Sequence, residues 1–166
     1  MSIGQEAGGV SDLDRRNLLA AVAIARRSRE GGNHPFGALL AGPDGAVLLE
    51  AENTVTKGRD ATGHAETNLV RAATAAYEPE FLRGCTLYTS TEPCAMCAGA
   101  IYWGNIGRVV YALGEDQLLA LTGANPENPT MALPCREVFA AGQRATAVVG
   151  PVELAQARAV HDGFWD

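Results

Sequence analysis

Long apolar runs are missing from this 166-residue chain, and both charge (19%) and aromatic rings (6%) are sparse. No apolar stretch approaches the roughly 20 residues that span a bilayer, so no transmembrane helix is expected. The Gly-rich, polar start, Met1 to Val10, has no apolar signal core. A flexible N-terminus over residues 1–10 and a cytoplasmic protein are the matching expectations. A basic surplus is missing too: 13 lysines and arginines stand against 19 acids, a net charge of −6. Proteins that grip a phosphate backbone carry a basic surface, so nucleic acid is not the expected partner. The one basic cluster, Arg26, Arg27 and Arg29, reads as the solvated face of a helix. Only four cysteines occur, Cys85, Cys94, Cys97 and Cys135, and nothing suggests secretion, so disulfides are a poor default.

What is present is enough apolar material, 47% of residues, for one α/β domain with a real core. Ser11-Asp12-Leu13-Asp14 reads as a capped helix start, and Leu18, Leu19, Val22, Ile24 and Ala25 fit one apolar face. Phe36 to Ala41 and Ala46 to Glu52 read as a hairpin closed by Pro43-Asp44-Gly45. Asn53 to Gly63 reads as a polar loop, followed by a helix from His64 that Glu78-Pro79 stops. A strand at Cys85–Ser90 leads to a helix with Pro93 in its first turn, ending at Trp103. Then come a strand, Arg108–Leu113, a short helix, Glu115–Leu121, a loop, Thr122–Pro134, and a last strand, Thr146–Val149. Pro151 is expected to open a final helix and tail over 151–166. The pattern predicts a mixed sheet covered by helices, in a single domain spanning 1–166.

Two short motifs carry chemistry: His64-Ala65-Glu66 and Pro93-Cys94-Ala95-Met96-Cys97. Residues three apart on a helix share a face, so both sulfurs can reach one ion. At a helix start, unpaired N–H groups and the dipole favour thiolates. One imidazole and two thiolates suit zinc, and three protein ligands leave a fourth position for water, whose pKa zinc lowers to about 7. Glu66 follows His64 by two residues, about 200° around an ideal helix. The pair therefore belongs at a helix entrance, where both can face the metal, with Glu66 as proton shuttle. A structural zinc knuckle or a redox Cys-x-x-Cys pair remains the competing reading of the cysteines.

In combination, His-x-Glu and Pro-Cys-x-x-Cys resemble the cytidine-deaminase-like superfamily of zinc deaminases. His34-Pro35-Phe36-Gly37-Ala38, Glu52-Asn53-Thr54-Val55-Thr56, Tyr88-Thr89-Ser90-Thr91-Glu92-Pro93-Cys94 and Ala100-Ile101-Tyr102-Trp103 are similar to its bacterial guanine deaminase branch. The resemblance implies a three-layer α-β-α sandwich with a five-stranded mixed sheet, one zinc per subunit, and a homodimer. It assigns His64, Cys94 and Cys97 to the metal and Glu66 to proton transfer. It places Asn53 on the polar edge of a ring, backbone groups at Ala65 and Pro93 in the pocket, and Phe36 against the ring. Guanine deaminases also use an acid after the fourth strand, for which Glu127 is the candidate here, with Glu115 and Asp116 nearby. They fold a C-terminal aromatic over the neighbouring subunit's pocket, which makes Trp165 a candidate and an exchanged C-terminal segment an expectation. The implied function is hydrolytic deamination of a small amino-substituted base. A guanine-like aminopurine is the first choice, with cytosine, aminotriazines and modified bases open. A tRNA adenosine deaminase and a noncatalytic zinc-binding interaction domain are the alternatives.

Overall fold

A computed structural model describes residues 9–166, so the N-terminal expectation falls, for residues 1–8, outside the described residues. The first helix, α1 (Asp12–Glu30), starts with a reciprocal cap. Ser11 Oγ accepts from the Asp14 N–H at 3.0 Å, and Asp14 Oδ2 accepts from the Ser11 N–H at 3.1 Å. Its face of Leu18, Ala21, Val22, Ile24 and Ala25 is buried. Leu19 is on the other side, 41% exposed.

Strands β1 (Gly37–Ala41), β2 (Val47–Glu52), β3 (Thr86–Thr91), β4 (Arg108–Leu113) and β5 (Ala147–Val149) form one sheet in the order β2-β1-β3-β4-β5. β1 runs antiparallel to β2 and β3, whereas β3, β4 and β5 are mutually parallel. Interior strand β1 is buried along its whole length, and α1 crosses it so closely that a Cβ at Gly37 would run into the backbone of Ala21 and Ala25. The remaining helices are α2 (Val55–Gly58), α3 (Ala65–Ala76), α4 (Pro79–Arg83), α5 (Ala95–Trp103), α6 (Glu115–Thr122), α7 (Cys135–Ala140) and α8 (Ala155–Ala159).

Two cores sandwich the sheet. On one face Leu69, Val70, Ile101 and Phe139 from α3, α5 and α7 pack on Leu40, Leu87 and Val109. On the other, α1 and Ala157 of α8 pack on Leu39, Tyr88 and Val110. Each such fully buried Leu, Ile or Val contributes about 1.5–3 kcal/mol. This is the expected three-layer α-β-α arrangement. Across the second core, Arg108 reaches Asp14 with both guanidinium nitrogens, at 2.9 and 2.8 Å, and the Tyr88 hydroxyl donates to the same carboxylate at 2.7 Å.

Several local expectations are corrected. The segment read as a loop over Asn53–Gly63 contains α2, the unassigned stretch after Pro134 forms α7, and α4 begins at Pro79, the residue expected only to stop a helix. Proline in a first turn starts a helix as readily as it ends one. Pro93 precedes the N-cap of α5, Cys94, rather than standing in the first turn. The final helix begins at Ala155 rather than Pro151, because Val152 still pairs with the sheet, donating to Tyr111 and Ala112 carbonyls. Arg29 is not merely solvated: its Nη1 donates to the Val160 carbonyl at 2.9 Å, and its guanidinium covers the Phe164 ring. Among the described residues, no helix is long and apolar enough to cross a membrane.

Candidate active site

His64 is the N-cap of α3, in an extended conformation (φ −71°, ψ 150°), so the geometry that an ideal helix would impose on it and Glu66 does not apply. Cys94 is the N-cap of α5 and Cys97 lies one turn in. The two helix starts meet at the carboxyl end of the parallel strands. His64 Nδ1 is 3.5 Å from Cys94 Sγ and 3.6 Å from Cys97 Sγ, and the three ligand atoms lie within 4.8 Å of one another. A tetrahedron with Zn–S near 2.3 Å and Zn–N near 2.0–2.1 Å has an N···S edge of about 3.6 Å. The spacing therefore fits zinc without rearrangement.

The surroundings favour one negative sulfur, on Cys94. The Cys94 thiol is pulled down, first by its hydrogen bond with Cys97 and then by His64, while Cys97 carries the pair's proton and is raised. The hydrogen bond with Cys94 raises His64. Thr67 Oγ1 lies 3.2 Å from Cys97 Sγ, placed to support a thiolate. Among the described residues no fourth His, Cys, Asp or Glu joins the cluster.

Glu66 is 5% exposed and burial raises its carboxyl, while Thr89 Oγ1 donates to Oε1 at 2.6 Å. Thr89 also faces the Thr91 carbonyl at 2.9 Å, which fixes its rotamer. A buried carboxyl with a raised pKa beside a metal cluster suits proton transfer.

These groups face a cavity of about 350 Å³, whose lining includes His64, Glu66 and Cys94. Of the other sequence candidates, Phe36, Asn53 and Glu127 line it. Asn53 is buried, and its Oδ1 is occupied by the Val55 N–H at 3.0 Å. Its amide nitrogen has no hydrogen-bond partner among the described residues and its oxygen keeps one lone pair, so it offers a ligand chiefly a donor. Ala65 and Pro93 are buried beside the cavity but do not line it. Trp165 does not line it either. The indole packs behind it, against the buried His34 (ring centroids 5.4 Å apart) and Phe36 (6.0 Å). The C-terminal segment packs against its own chain in this single-chain structure.

Sequence reasoning passed over several groups. Thr89, read only as part of a motif, orients Glu66; a threonine inside the buried strand Thr86–Thr91 was the available signal. Glu92 fastens the far wall: its two oxygens accept from the Glu115 N–H (3.0 Å) and the Cys135 N–H (2.9 Å), at the starts of α6 and α7. Glu115, which the sequence already offered beside Glu127, lines the cavity and is pushed up to about 7, chiefly by burial and then by Cys94. His34 also lines it, with Nε2 4.0 Å from the Glu127 carboxylate.

Known proteins are similar to this chain in sequence and fold. A probable cytosine deaminase of Schizosaccharomyces pombe is 39% identical over 157 residues, 95% of each chain. A guanine deaminase of Bacillus subtilis is 44% identical over 96 residues, 57% of this chain and 61% of that one. A guanine deaminase structure from Nitrosomonas europaea superposes with a TM-score of 0.73, covering 93% of this chain and 84% of that one at 22% identity, a likeness of fold. Residues 11–113, which carry every metal ligand and Glu66, match the cytidine and deoxycytidylate deaminase zinc-binding region. On that match and the three-ligand zinc geometry, the chain belongs to the cytidine and deoxycytidylate deaminase family of zinc-dependent deaminases.

Proposed function

We propose that the chain is a single zinc-dependent deaminase domain that hydrolyses the exocyclic amino group of a free nucleobase, converting ring N=C–NH₂ and water to ring HN–C=O and ammonia. The observation that carries this reading is the buried Glu66 beside a three-ligand zinc set, opening on a cavity with no lysine or arginine in its lining. His64, Cys94 and Cys97 would hold zinc, which would supply a water of pKa about 7. Glu66 takes the water's proton and returns it to the leaving nitrogen, held in line by Thr89. Asn53 donates from its amide nitrogen to an acceptor on the ring. Phe36 supplies an aromatic wall.

Four carboxylates, Glu66, Glu92, Glu115 and Glu127, line the cavity. A nucleotide's phosphate would find no lysine or arginine there to pair with, which favours a base over a nucleotide or a tRNA. A guanine-like aminopurine is the first choice. The cavity has room for a bicyclic ring, and Glu127 offers an acceptor for its N–H groups. Cytosine is the second reading, favoured by the relative that matches nearly the whole chain. The deciding experiment is ammonia release by the zinc-loaded protein from guanine, cytosine, aminotriazines, the corresponding nucleosides and an RNA hairpin. Turnover of a free base supports the proposal. Turnover confined to RNA, falling steeply with salt, replaces it with tRNA editing. Bound zinc with no ammonia from any substrate replaces it with a noncatalytic zinc module.

The same reading includes a cytoplasmic homodimer. Its support is the apolar edge of α5, where Met96 is 38% and Trp103 81% exposed. Light scattering of the wild type and of Trp103→Glu tests it: a dimer that the substitution dissociates is expected, and a wild-type monomer refutes it.

A further inference from the structure

Residues 124–133, between α6 and α7, form an irregular cavity wall that includes Glu127. Their hydrogen bonds are almost all internal. Asn125 donates to the Thr122 carbonyl, Asn128 N–H to the Asn125 carbonyl, and the Asn128 side chain reaches Thr122 and Thr130 at 3.4 and 3.3 Å. Such a segment, with few buried contacts, has little of its own to fix its position. Among the described residues, one hydrogen bond ties residues 124–133 to a distant part of the chain: Asn125 Nδ2 donates to the Trp165 carbonyl at 2.9 Å.

The other end of the same amide faces the active site. Asn125 Oδ1 accepts from the Glu127 N–H at 2.9 Å. One side chain therefore spans the C-terminal tail and the backbone of the residue whose carboxylate points into the cavity. A second path joins the same two places. The Trp165 indole and the Phe164 ring pack on His34, with centroids 5.4 and 5.8 Å away, and His34 Nε2 faces the Glu127 carboxylate at 4.0 Å. The tail itself is anchored independently of the loop. Trp165 Nε1 donates to His161 Nδ1 at 3.0 Å, and Arg29 holds the Val160 carbonyl and the Phe164 ring.

We propose that Asn125 is a positioning residue that fastens the Glu127 wall to the C-terminal tail, so that Trp165, without touching the substrate, sets where Glu127 meets it. The proposal rests on the reading of the cavity as a nucleobase pocket. Its physical basis is reach: Glu127 is 61% exposed at its side chain, and an exposed carboxylate on an irregular loop is directional only if its backbone is held. The Asn125 amide holds it, with donor and acceptor both used.

The test uses the zinc-loaded full chain and three variants, read by amide hydrogen exchange and by steady-state kinetics on the best base from the panel. Asn125→Ala removes both contacts. Exchange should quicken about tenfold in residues 124–133 and also in 160–166, with α3 and α5 unchanged, the worth of a lost hydrogen bond. KM should rise about tenfold with kcat within about twofold. Asn125→Asp keeps the acceptor for the Glu127 N–H but loses the donor to Trp165, so the tail should loosen as in Asn125→Ala and KM should still rise. Asn128→Ala, which cuts bonds to Thr122 and Thr130 and none to the tail, should leave exchange of 160–166 at the wild-type rate. Unchanged exchange of 160–166 in Asn125→Ala overturns the coupling, whatever the substrate proves to be. A loosened tail with unchanged KM overturns the positioning role. If no base is turned over, the exchange measurement still decides the coupling, and only the functional reading fails.

Discussion

Thr89 Oγ1 stands 2.6 Å from Glu66 Oε1, both residues buried, so the carboxyl proposed to move protons is aimed by a hydroxyl on the neighbouring strand. The bond crosses from β3 to α3 and ties the aim of Glu66 to the rigid centre of the sheet. Thr89→Val preserves volume and removes the donor. A hydrogen bond to a charged group is worth about 1.5–3 kcal/mol, so kcat should fall about 10- to 100-fold. Zinc content should not change, and Thr89→Ser should restore most of the rate. A Thr89→Val enzyme with wild-type kcat would remove the orienting role.

Glu66→Gln keeps shape and the Thr89 contact but cannot accept a proton. Loss of a general acid–base costs about 10²–10⁴-fold, and a group used in both proton transfers belongs at the upper end. Because Glu66 is not a ligand, metal analysis should still find one zinc per chain. Undiminished ammonia release from the variant would contradict the assignment; loss of zinc would show that the carboxylate holds the ion.

The metal centre was legible in the sequence because its spacing rules are local. A Cys-x-x-Cys at a helix start and a His-x-Glu at another fix their own geometry within a turn, and the structure needed only to bring the two starts together. The layers were legible for a similar reason, since the apolar stripe of α1 and the uninterrupted apolar run of β1 each name their burial. The cavity's far wall was not legible. Glu92 acts through backbone N–H groups at positions 115 and 135, and Asn125 through those at 127 and the carbonyl at 165, partners that no side-chain pattern announces. The start of α8 was misplaced for the same reason. Pro151 permits a helix, but the Val152 N–H is claimed by β4, a long-range contact.

Asp14 joins the helix cap of α1 to Arg108 and Tyr88 on the sheet. Desolvation alone would raise its carboxyl, but the hydrogen bonds from Arg108, Tyr88 and Ser11 together hold it well below the usual carboxylate range. A depressed folded-state value means that the stabilisation is complete above the unfolded value, near 3.9, and is lost as pH falls below it. Asp14→Asn should cost about 3 kcal/mol at neutral pH, because it leaves the Arg108 charge without its partner. The variant should also lose part of the wild type's acid sensitivity below pH 4. Urea denaturation at pH 7 and pH 3 checks both; an equal deficit at the two pH values would mean that the ion pair contributes nothing beyond the cap.

His161 supplies the last pH-dependent contact. Trp165 Nε1 donates to its Nδ1, so in the folded state that nitrogen is unprotonated, and its Nε2 is buried with no hydrogen-bond partner among the described residues. Burial, assisted by the nearby Arg29, pushes the imidazole down from the ordinary 6.5 to about 4. Between those values the unfolded chain takes up a proton that the folded chain refuses, so stability falls as pH drops from about 6.5 to about 4, by at most about 1.4 kcal/mol per pH unit. His161→Gln keeps an acceptor for the indole and cannot titrate. His34, also lowered by burial, contributes a slope of the same sign to both proteins. The difference between their unfolding free energies should therefore change across pH 6.5 to 4 and stay flat on either side. A constant difference through that window would mean that His161 accepts its proton without releasing the tail.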